Sequence, residues 1–129
     1  MSRYISVFVD SELTPEAFSH DLAAILGVHL QDVVGEEFIF YEFADDRRWF
    51  NVGNHTLEND DDLPFEEYRY QIEVGTHGIY DAEKREQVML DFAREIYEKL
   101  KATHKYRLLL VDDVQIKLDE FVPAPQASS

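Results

Sequence analysis

The chain has 129 residues, 45% of them apolar, which matches one domain and is enough to close a hydrophobic core. It has no cysteine, so disulfides, thiol chemistry and zinc–thiolate sites are excluded. Its 27 acidic residues face 12 basic ones for a net charge of −15, a field that repels nucleic acid and anionic membranes and draws basic partners at steered rates.

That charge is unevenly placed. Residues 1–80 hold 17 acids and four bases, Arg3, Arg47, Arg48 and Arg69, a net of −13, whereas residues 81–129 contribute only −2. The opening Met1-Ser2-Arg3-Tyr4 leads into a short apolar run that ends at Asp10, with no signal-peptide pattern and nowhere about 18 apolar residues together. A cytoplasmic protein without cofactors is expected.

Residues 4–9, Tyr-Ile-Ser-Val-Phe-Val, read as a strand. Thr14-Pro15-Glu16 then opens a helix: a side-chain cap, a proline whose missing N–H costs nothing at the first position, and an acid at the positive end of the dipole. Phe18, Leu22, Ile25 and Leu26 recur at helical spacing, and Gly27 supplies the stop. Residues 37–44 form an aromatic strand, Asp45-Asp46-Arg47 a turn, and residues 49–52 the returning strand of a hairpin. Residues 53–67 are polar and aperiodic, hence a loop.

Tyr68 to Val74 alternate cleanly. Tyr68, Tyr70, Ile72 and Val74 are expected on one face, with Arg69, Gln71 and Glu73 on the other, as in an antiparallel sheet with one wet side. Gly75-Thr76-His77-Gly78 breaks the strand; it lacks phosphate-loop spacing and reads as a turn. Asp81 caps a helix over 82–102 with a stripe of Val88, Met89, Phe92, Ile96 and Leu100. Residues 106–111 form a buried strand, and residues 112–122 fit either a strand or a short helix.

The order β-α-β-β-β-α-β predicts an α+β fold of two layers. About five mostly antiparallel strands would carry two helices on one face, in a single domain over 1–122 with a flexible tail over 123–129.

Glu58, Asp60, Asp61, Asp62, Glu66 and Glu67 fall within ten residues that contain no base. Carboxylates so crowded repel one another, a cost that a cationic partner would offset. With Tyr68 and Tyr70 they make the expected surface for a basic protein; the plain alternative is a solvated loop. Asn59-Asp60-Asp61-Asp62-Leu63-Pro64 lacks the alternation and glycine of a calcium loop, so no metal is expected there. Tyr41, Trp49, Phe50, Tyr68 and Tyr70 form an aromatic set that is either core or an exposed binding spot, with the tyrosines the more exposed.

The acidic stretch from Glu58 to Glu67, together with the closing pattern from Phe92 through Tyr106-Arg107-Leu108-Leu109-Leu110-Val111, resembles bacterial toxin-immunity proteins. The likeness is one of style over the whole chain and has no diagnostic motif. It implies a non-enzymatic inhibitor that neutralises a basic toxin such as a nuclease, with no nucleic-acid or membrane partner of its own, as a monomer or homodimer. Two rivals stand beside it. One is an enzyme or small-ligand protein with a helix–sheet pocket, using His55 or His77 with a carboxylate. The other is a phage-encoded or structural homo-oligomer paired through an edge strand.

Overall fold

The computed structural model describes residues 4–60 and 63–123. Its centre is the strand β1, Ile5–Asp10, whose β-branched and aromatic residues are buried from Ile5 to Val9. Antiparallel partners flank it: β5, Tyr70–Thr76, with Val7 opposite Ile72, and β6, Arg107–Asp112, with Val7 opposite Leu110. β4, Arg48–Gly53, extends the sheet beyond β5, followed by β3, Ile39–Ala44, and by the two-residue β2, Gln31–Asp32. β7, Ile116–Phe121, closes the opposite edge, giving the order β2-β3-β4-β5-β1-β6-β7.

The α+β class and antiparallel sheet match the sequence reading, but the sheet has seven strands where about five were expected. β2 is too short to leave a pattern in the sequence. β7 settles residues 112–122 as strand. Asp113 and Val114 take φ 51 and 50, and the Gln115 N–H donates to the Asp112 carbonyl at 3.0 Å. Left-handed backbone at both central turn positions twists the chain back along β6 through a short hairpin connection.

The helix α1, Pro15–Leu26, begins where Thr14 accepts the Ala17 N–H at 3.2 Å. It ends at Gly27, whose φ of 68 suits a residue without Cβ and lets its N–H reach the Ala23 carbonyl. The second helix, α2, Ala82–Ala102, is capped by Asp81, which accepts the Lys84 N–H at 3.1 Å. Among the described residues no helix is long and apolar enough to cross a membrane.

Both helices pack on one face of the sheet. Phe18 and Leu22 of α1 and Met89, Phe92, Ile96, Tyr97 and Leu100 of α2 meet Ile5, Val7, Val9, Phe50, Tyr70, Ile72 and Leu110 in one core. Phe18 stacks on Tyr70 with centroids 4.6 Å apart. Asp21 of α1 accepts hydrogen bonds from the Tyr106 hydroxyl and from Lys105, at 3.0 Å for the latter, tying this helix to the entry of β6.

The opposite face is the larger departure from expectation. The loop expected over 53–67 does not stand off in solvent: its described residues fold back across the sheet. Leu63 and Phe65 are 3% and 2% exposed and pack with Tyr68 against Phe8, Leu109 and Val111, a second core on the side expected to be wet. A short 3-10 turn over Phe65–Glu67 turns the chain into β5. The expected tail lies largely outside the described residues, which end at residue 123.

Candidate functional site

The acidic segment is a scaffolded surface. Asn59 and Glu66 bind each other reciprocally: the Asn59 N–H donates to Glu66 Oε2 at 3.0 Å, and the Glu66 N–H donates to Asn59 Oδ1 at 2.9 Å. Asp60 and Leu63 exchange two backbone hydrogen bonds. Leu63 and Phe65 are plugged into the sheet below and hold the segment from that side.

The six carboxylates predicted as one surface have different fates. Glu67 is spent on Arg107, 2.8 Å away, and Glu66 on the loop itself. Glu58 and Asp60 are exposed, and no base among the described residues pairs with either. Asp61 and Asp62 lie outside the described residues.

Tyr68 and Tyr70 are corrected. They are 1% and 0% exposed, so neither is a surface contact. They also point to opposite faces. Regular β5 starts only at Tyr70, so the strand alternation does not extend back to Tyr68. Tyr70 faces the helices and donates its hydroxyl to the Leu13 carbonyl. Tyr68 belongs to the second core, its ring lying under the Arg107 guanidinium at 4.9 Å. These tyrosines hold the scaffold in place. Of the wider aromatic set, Phe50 is core, while Tyr41 and Trp49 are partly covered.

Beside the acidic segment the fold opens a cleft that the sequence did not announce. Two adjoining hollows, about 350 and 550 Å³, share Phe38, Asn54, His55, Thr56 and Leu57. The first reaches the sheet at Asn51, Gln71 and Glu73; the second ends at Glu58, Glu66 and Arg69. Gly53 permits the wall at Phe38: a Cβ there would stand 1.8 Å from the Phe38 carbonyl oxygen.

Glu73 had been assigned to the solvent side of β5, and it does point away from the helices. The chain at 54–57 folds beside it, so it is only partly exposed. Its cross-strand neighbours, Asn51 and Ser6, are neutral, and Gln71 is occupied in donating to Ser6 Oγ at 2.9 Å. Burial pushes the Glu73 carboxyl above the ordinary carboxylate range, and no cation among the described residues offsets it.

The two loop histidines do not converge. β4 and β5 run antiparallel with Gly53 opposite Gln71 and Arg48 opposite Thr76, so His55 and His77 leave opposite ends of this pair. About 17 Å of strand separates those ends. His55 is consumed by the backbone: its Nδ1 accepts the Leu57 N–H at 3.1 Å, which leaves Nε2 to donate to the Tyr68 carbonyl at 2.7 Å. The His77 Nε2 meets the Asp45 carbonyl at 2.7 Å. Neither ring is paired with a carboxylate, and among the described residues no three His, Asp or Glu side chains are grouped to hold a metal.

No protein-family model, no curated protein and no solved structure matches this chain.

Proposed function

We propose that this chain is a protein-binding domain of the inhibitor or immunity type, which sets carboxylates against a basic partner such as a toxin nuclease. The observation that carries the reading is the pairing of exposed Glu58 and Asp60, whose carboxylates meet no base among the described residues, with the buried anchors Leu63 and Phe65 of the same segment. A charged loop free to move would lose much of its attraction to the entropy of ordering; an anchored one meets its partner already ordered. The long-range charge of −15 adds steering.

The test is to express the product of the neighbouring reading frame and, if it is a basic, toxin-like protein, to measure its association kinetics with this chain. Binding is expected to be fast and to slow steeply with salt. The double variant Glu58→Lys with Asp60→Lys should lower the association rate by about tenfold or more at low ionic strength. An unaltered rate and salt slope would remove the acidic segment from the reading, and the lack of any basic neighbour would remove the immunity form of it.

A further inference from the structure

We infer that the cleft floored by Asn51, Gln71 and Glu73 receives the side chain of one lysine or arginine from the basic partner, with Glu73 as its counter-ion. The inference rests on the proposed function and adds to it a specific anchor point beside the exposed carboxylates.

Three observations lead there. The hollow, about 350 Å³, has ample room for a lysine or arginine side chain and adjoins the second hollow, whose lining includes Glu58, Glu66 and Arg69. Glu73 itself is half-covered and has no hydrogen bond or ion pair from any described residue. A carboxylate withdrawn from water without compensation is costly, and such groups are ordinarily paired. Its surroundings are also selective. The neutral side chains of Asn51, Asn54 and Thr56 line the same wall. They offer carbonyl and hydroxyl acceptors for the remaining N–H groups of an ammonium or guanidinium head. Phe38 and Leu57 supply apolar surface for its aliphatic stem. One carboxylate among neutral groups suits a monovalent head; a divalent metal takes six or more oxygens with several carboxylates.

The position fits the energetics of recognition. A rim charge mainly alters the association rate, whereas a desolvated pair mainly alters the dissociation rate. Glu58 and Asp60 fill the first role and Glu73 the second, so substitutions at the two places are separable by kinetics.

The experiment uses amide NMR of the full chain titrated with Nα-acetyl-lysine amide and Nα-acetyl-arginine amide, each with one positive charge on its side chain, and with uncharged Nα-acetyl-norleucine amide. A cationic amide should move the side-chain amide signals of Asn51 and Gln71, the norleucine control should not, and Glu73→Gln should weaken the effect by about tenfold. A dispersed amide spectrum confirms that the variant is folded. The same Glu73→Gln change should raise the dissociation rate of the partner complex by about tenfold while sparing the association rate. No shift, an equal shift with norleucine, or an effect that survives Glu73→Gln overturns the inference. So does a partner dissociation rate indifferent to Glu73→Gln, even where Glu58→Lys with Asp60→Lys still slows association; the proposed function then stands without this anchor. If the cationic amides bind and no basic protein does, the proposed function falls, and the partner side chain named here falls with it.

Discussion

The two faces of the sheet are built from similar strands but covered in different ways. On one face, two capped helices lay a continuous apolar stripe over β1, β5 and β6. On the other, a segment without periodicity contributes Leu63, Phe65 and Tyr68, with Leu57 partly buried beside them, and leaves a cleft at its side. The helical cover is self-supporting, since each helix satisfies its own backbone before it packs. The loop cover depends on a few anchors. Stability is thus expected to reside on the helical face, and recognition on the face where the cover is incomplete and polar groups remain free to bind.

Truncating one anchor on each face gives the largest effects. Phe18→Ala, which empties the stack on Tyr70, should cost about 3–5 kcal/mol in urea denaturation and unfold the chain as a unit. Phe65→Ala removes an equally buried ring. It should cost nearer 2–3 kcal/mol, because the segment can collapse into the space. Its clearer signature is faster hydrogen exchange at Leu57, Asn59 and Glu66, with the amides of β1 still protected. Equal costs and uniform exchange would show that the two covers form a single cooperative unit and dissolve the contrast.

An intermediate effect belongs to the tie between α1 and β6. Burial works to raise the Asp21 carboxyl, but the Tyr106 hydroxyl and the Lys105 ammonium outweigh it, and the group is held below its ordinary 3.8. A carboxyl lowered on folding contributes stability above its unfolded value and loses it as pH falls through the folded one. Asp21→Asn should therefore cost about 1–2 kcal/mol near neutrality, with the difference closing as pH drops below 3.8. A constant difference across the acid range would mean that the carboxylate charge is not what holds this tie.

The smallest effect has the opposite sign. Burial raises Glu73 above its ordinary 4.5. For a carboxyl raised on folding, the stabilising contribution is complete below the unfolded value and is lost as pH climbs through the folded one. Glu73→Gln should accordingly match the wild-type melting temperature at acid pH and exceed it modestly once pH rises beyond 4.5. A residue whose removal stabilises the fold is one retained for another purpose. A lower melting temperature at neutral pH would assign Glu73 to the scaffold and sharpen the contrast in the other direction.

Much of the helical face was legible in the residues. Thr14-Pro15 and Gly27 bounded α1, Asp81 opened α2, and the stripe from Met89 to Leu100 named the buried side. The acidic segment was legible as composition only. Nothing local distinguishes Leu63 and Phe65 from incidental apolar residues in a polar loop, because what buries them is the outer side of β1 and β6, far away in sequence. Tyr68 and Tyr70 illustrate the same limit: two residues apart, they were expected to share a face, yet the chain leaves its 3-10 turn before it becomes regular strand.

By itself the sequence determined the class of the fold, the helix boundaries and the excess of negative charge. Those depend on caps, periodicity and counts, which act over a few residues or over none at all. Only the tertiary structure decided that Leu63, Phe65 and Tyr68 cover a face, that Glu67 is spent on Arg107, and that Glu58, Asp60 and Glu73 have no basic partner among the described residues. Burial and pairing are properties of what lies opposite a side chain, and that is fixed only when distant strands come into register.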